Sequence, residues 1–113
     1  MLFALEEDGL IYVYETVEAA VLQVEALDAE ETFRTVFDET GQTYAIEWIR
    51  PNGYGWLLVE NGEYTLRPTG KKDVAGFLRV LQSANGIEPG EEDRVREVQA
   101  RLIGAGTSEP ESP

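Results

Sequence analysis

Leu2-Phe3-Ala4-Leu5-Glu6-Glu7-Asp8-Gly9-Leu10-Ile11-Tyr12-Val13-Tyr14 is the stretch that sets the fold class. Two apolar and aromatic runs, Leu2–Glu6 and Leu10–Tyr14, flank a Glu7-Asp8-Gly9 turn, and Asp-Gly suits a tight turn because Gly takes positive φ without steric cost. The stretch therefore predicts a β-hairpin. Strand alternation puts Leu10, Tyr12 and Tyr14 on one face, with Ile11 and Val13 on the other.

Downstream, Thr16 is placed to cap a helix over about residues 17–27. Val17, Ala20, Val21, Val24 and Leu27 recur at helical spacing as one apolar stripe. Glu18 and Glu25 lie off it, and Glu18 suits the positive end of the helix dipole. The centre reads as sheet. Thr32–Phe37 alternates, with Phe33, Thr35 and Phe37 on one face; Thr43–Ile49 alternates with Tyr44, Ile46 and Trp48 on one face. Arg50-Pro51-Asn52-Gly53-Tyr54-Gly55 interrupts the pattern, and Trp56–Glu60 resumes it. Asn61-Gly62 signals a type I′ hairpin into a return strand Glu63–Arg67, which Pro68 would end.

The last third is helical. Asp73 is set to cap a helix carrying Val74, Phe77, Leu78 and Leu81, with Gly86 as its stop. Pro89 and Glu91-Glu92-Asp93 suit a further helix start, followed by the stripe Val95, Val98 and Leu102 and a stop at Gly104. The order is ββ-α-ββ-ββ-α-α. It implies one α+β domain over residues 1–104: a twisted antiparallel sheet of about six strands with two to three helices on one face. Residues 105–113 read as a flexible acidic tail.

The chain has 113 residues, 42% hydrophobic and 27% charged, a globular composition. It contains no Cys and no His. This excludes a disulfide framework, a Cys/His zinc site, a Cys nucleophile and an imidazole base. Among the serines, Ser83 falls in a helix and Ser108 and Ser112 in the tail, so no Ser triad of the usual form arises. Asn52-Gly53-Tyr54-Gly55 lacks the Lys-Ser or Lys-Thr and the helix start of a phosphate loop. Asp38-Glu39-Thr40-Gly41 lacks the ligand spacing of a calcium loop and reads as a turn. The carboxylate runs do not converge by spacing on one pocket. The sequence thus implies no enzyme, no cofactor and no metal site. The N-terminus has no basic region ahead of a long apolar run, and no stretch approaches a membrane span, so a cytoplasmic location is expected.

Charge is the informative feature. Asp and Glu number 22 against 9 Lys and Arg, a net charge of −13. Residues 1–49 hold twelve acids and one cation, Arg34, a net of −11; residues 50–113 hold ten acids and eight cations, a net of −2. Such a surface repels nucleic acid and anionic membranes and attracts a basic partner.

Several segments together resemble small acidic bacterial immunity proteins. These are a short hairpin beginning at Met1 with the aromatic strand Tyr12-Val13-Tyr14, and the capped acidic helix Glu15-Thr16-Val17-Glu18-Ala19-Ala20. The exit Ala26-Leu27-Asp28-Ala29-Glu30-Glu31 and the run Phe37-Asp38-Glu39-Thr40-Gly41 complete the likeness, which covers about residues 1–50. Proteins of that kind bind and inhibit a cognate secreted toxin, nucleases among them, in the cytoplasm. The resemblance implies a non-enzymatic inhibitor of a basic toxin or effector, acting as a monomer or homodimer. The charge pattern nominates Glu7, Asp8, Glu18, Glu25, Asp28, Glu30 and Glu31 as the electrostatic surface, with Tyr12, Tyr14 and Tyr54 as anchors. Trp48 and Trp56 fit buried strand positions. Two other classes share this composition, a chaperone or adaptor for a secreted effector and an acidic mimic of DNA.

Overall fold

The computed structural model describes residues 1–56 and 58–108, the last four as backbone alone. The first hairpin is present, with β1 (Leu2–Leu5) antiparallel to β2 (Leu10–Tyr14) and Leu2 opposite Tyr14. Gly9 turns it at φ 81°. β1 also pairs with β3 (Val36–Asp38), which leads to β4 (Gln42–Arg50); β4 pairs with the long edge strand β7 (Glu63–Lys72). At the opposite edge, β8 (Gly86–Ile87) adds to β2 in parallel. The main sheet runs β7-β4-β3-β1-β2-β8, with β5 (Gly53–Tyr54) and β6 (Val59–Glu60) as a separate two-stranded ribbon. This is the α+β class and the mainly antiparallel six-stranded sheet that the sequence predicts.

The helices cover both faces, not one. Alternation along β1 explains why: Leu2 and Ala4 point into one core while Phe3 points into the other. The first core packs Tyr14, Phe33, Tyr64 and Leu66 beneath α1 (Val17–Gln23) and α2 (Ala29–Thr32). The second packs Ile11, Phe37 and Phe77 beneath α3 (Val74–Ser83) and α4 (Glu92–Ser108), whose stripe Val95, Val98 and Leu102 is buried as expected. A sheet that is apolar on both faces needs a layer on each.

The capping predictions hold. Thr16 Oγ1 accepts the Ala19 N–H at 3.0 Å, and Asp73 Oδ1 accepts the Gly76 N–H at 2.9 Å. Several boundaries differ. α1 stops at Gln23 instead of residue 27, because Val24 turns extended and its carbonyl accepts the Tyr64 hydroxyl at 2.6 Å. Residues 29–32 form α2, so Phe33 caps a helix and lies on the opposite sheet face from Phe37. Pro68 does not end its strand; it sits on the edge strand beside a register shift, where no ladder donor is required. Gly86 enters β8 opposite Leu10, whose Cδ2 would lie 3.0 Å from an added Cβ. α4 runs through Gly104 to Ser108, since an exposed glycine costs a helix only about 1 kcal/mol. The predicted tail therefore begins as helix over residues 105–108, and residues 109–113 lie outside the described residues.

The Asn61-Gly62 hairpin does not form. Among the described residues positive φ occurs only at Gly9, Gly41, Gly70 and Gly90, and β6 pairs with β5 instead of β7. Gly62 serves close approach: a Cβ there would lie 2.1 Å from the Arg50 carbonyl oxygen. The bond from Gly55 N–H to Leu58 O at 2.8 Å closes the turn of the ribbon. Trp56 at its tip is 92% exposed, contrary to its predicted burial, while Trp48 packs partly against the first core.

Candidate functional site: an acidic groove

Strand alternation and the two short helices place carboxylates around one groove of about 930 Å³. The β1–β2 turn supplies Glu6, Glu7 and Asp8, and the exit from α1 supplies Glu25 and Asp28. Glu31 comes from α2, and Glu88 follows β8. Tyr12 and Tyr14, on the same face of β2, line the wall between them. Among the described residues no Lys or Arg lines this groove.

The tyrosines organise the acids. The Tyr12 hydroxyl donates to Asp8 Oδ2 at 2.7 Å, and the Tyr14 hydroxyl donates to Glu6 Oε2 at 2.6 Å. Asp8 also accepts the Leu10 N–H at 2.9 Å. The Tyr12 bond, and then that backbone bond, hold the Asp8 carboxyl below its ordinary pKa, because hydrogen bonds to the ionised form favour it. The same carboxylate pushes the Tyr12 phenol up to about 12. Burial, then the bond to Glu6, raises Tyr14.

Two acids are held the other way. Burial raises Glu6, with repulsion from Asp8 and Glu88 adding to it despite the Tyr14 bond. Glu31 is raised first by hydrogen bonding to Glu7 and then by Glu7's charge, with Arg34 opposing. Two carboxyls close enough to share a proton resist double ionisation. The groove is thus an anionic concavity in which an incoming cation relieves repulsion already present.

The wall is fixed laterally by the residues that flank edge strand β8. Asn85 N–H donates to Gly9 O at 2.7 Å, and Asn85 Nδ2 to Asp8 O at 3.3 Å. Glu88 N–H donates to Ile11 O at 2.8 Å, and Glu88 Oε1 accepts the Val13 N–H at 3.1 Å.

Of the residues nominated from the sequence, Glu7, Asp8, Tyr12, Tyr14, Glu25, Asp28 and Glu31 converge on the groove. Glu18 and Glu30 are exposed on α1 and α2 and do not line it. Tyr54 stands on the β5–β6 ribbon, exposed as expected and apart from the groove. Glu6 and Glu88 were missed. Alternation could have found Glu6, since it continues the Leu2–Ala4 face. Glu88 gave no local signal, because the parallel addition of β8 brings it in from 75 residues away.

No family model, curated protein or solved structure matches the chain. No helix among the described residues is long and apolar enough to cross a membrane. No cluster of metal-ligating residues occurs among them either.

Proposed function

We propose that this chain is a binding protein of the immunity type, which inhibits a cognate basic toxin by direct contact through the acidic groove. The observation that carries this reading is the convergence of seven carboxylates, with no lining cation among the described residues, on one concavity. Occupation by Lys or Arg side chains would relieve the repulsion between Glu31 and Glu7 and offset the cost of ionising the half-buried Glu6. Long-range attraction would speed encounter, and exclusion of substrate from the toxin's cleft would block its activity.

The test is affinity capture with the tagged chain at low salt, followed by activity assay of the retained partner with and without the chain. One basic polypeptide, released by salt and inhibited at one-to-one stoichiometry, is the expected result. A variant combining Glu25→Lys, Asp28→Lys and Glu31→Lys should lose capture and inhibition together. Affinity unchanged in that variant across salt concentrations sinks the proposal. A stable dimer that holds a non-catalytic segment without inhibition would indicate a chaperone instead.

A further inference from the structure

The acidic groove does not stop at α1. Over the last turn of that helix it meets a second cavity of about 320 Å³, and Leu22, Val24 and Glu25 line both. The chemistry changes across this crest. Beyond it Val21 from α1, Ile49 from β4 and Tyr64 from β7 make the wall mainly apolar, beside Asn61, Gly62 and Glu63.

Two rim residues stand out by exposure. Leu22 is 86% exposed and Ile49 is 65% exposed. Leu22 belongs to neither core cluster. Its position follows from the early end of α1: Val24 leaves helical geometry, the chain descends to buried Ala26, and Leu22 is left on the outer edge. The cavity is preformed. Tyr64 holds the Val24 carbonyl, Asn61 Oδ1 accepts the Leu27 N–H at 3.0 Å, and Asn52 Nδ2 donates to Ala26 O at 3.0 Å. A mainly apolar pocket braced by hydrogen bonds and rimmed by exposed aliphatics has the anatomy of an anchor site, and preorganisation lowers the entropic cost of filling it.

Charge selects the occupant. A second copy would bring another net −13 to the most acidic half of this one, and like charges set face to face oppose association. A cationic partner is drawn to the same place, because Glu25 stands in the wall shared by both cavities. We infer that the pocket is the apolar half of one docking surface, and that it takes an amphipathic segment of a cationic protein. One aliphatic or aromatic side chain enters between Val24 and Ile49, while flanking Lys or Arg residues lie along the acidic groove. This inference rests on the groove being a protein-binding site.

Two synthetic peptides of about 18 residues test it. Both carry the same Lys residues; one has a helical stripe of Leu, and the other has Ser at those positions. Calorimetric titration at near-physiological salt should show the Leu peptide binding the intact chain about tenfold tighter than the Ser peptide. The double variant Leu22→Ser/Ile49→Ser should lose that preference and still bind the Ser peptide as before. Ile103→Ser, on the exposed side of α4, should change neither. Equal affinity for the two peptides, or a preference that survives the double variant, overturns the inference and leaves the groove reading standing. Failure of both peptides to bind overturns both. A concentration-dependent dimer that the double variant dissolves assigns the pocket to a second copy and also overturns the inference.

Discussion

Against one face of the sheet, Phe77 of α3 stacks on Phe37 with centroids 4.7 Å apart and tilts against Phe3 at 5.5 Å, within the core that α3 and α4 cover. Against the other face, the helices are seven and four residues long and bury Ala20 and Ala29. The charges divide in the same way. On α4, Arg94 pairs with Glu15 and Glu91, Arg96 with Asp93, and Arg101 with Glu97. On the α1–α2 side the acids lean on tyrosine hydroxyls and on one another. One face is closed by large apolar side chains and balanced at its surface. The opposite face is thinly covered, anionic and rimmed by exposed aliphatics. Both faces of the sheet back a buried core, but only the α1–α2 side presents an unbalanced anionic surface.

The largest test of that division is Phe77→Ala. It should cost about 3–5 kcal/mol, read from urea unfolding, because the ring is fully buried. A loss below about 1 kcal/mol would mean that the ring does not hold α3 to the sheet. Gly62→Ala probes the other side. The new Cβ would collide with the Arg50 and Pro51 backbone and should cost about 1–3 kcal/mol. The indole emission of Trp48 should shift with the local rearrangement. Smaller again is Thr16→Ala, which leaves the Ala19 N–H without its side-chain acceptor and should cost about 1 kcal/mol. Amide exchange should then speed up in α1 while α3 and α4 remain protected.

The smallest effect carries a sign that sharpens the comparison. Glu31 has a folded pKa above its ordinary value of 4.5. Its ionised form is therefore disfavoured by folding, and stability is lost as pH rises from that value through the raised one. Glu31→Gln should slightly raise the melting temperature at pH 7, and the gain should shrink as pH falls toward 4.5. Removing an acid that lacked a repelling neighbour would show no such pH-dependent gain.

Local chemistry made much of this legible. The alternation in Leu10–Tyr14 and the stripe Val95, Val98 and Leu102 both face where their periods predict, and both caps form. What failed was decided by contacts distant in sequence. Val24 ends α1 with its carbonyl taken by Tyr64, 40 residues away. Asn61-Gly62 loses its hairpin to the close passage of Arg50 and Pro51, with the Gly62 N–H donated to Asn52 Oδ1. The acidic site was largely visible because its members cluster in residues 6–31, each near a turn or a helix end. Its apolar neighbour was hidden: Leu22 and Ile49 share a cavity only after β4 and β7 pair behind α1.

The staple from Asn85 and Glu88 to the first hairpin also sets an order in time. Synthesis proceeds from the N-terminus at about 5–20 residues per second, so the wall begun at Asp8 waits about 4–15 s for its braces. Until then the acids are present on the nascent chain without the frame that holds them apart. A chain cut short before Asn85 would carry most of the charge of the groove but not its shape.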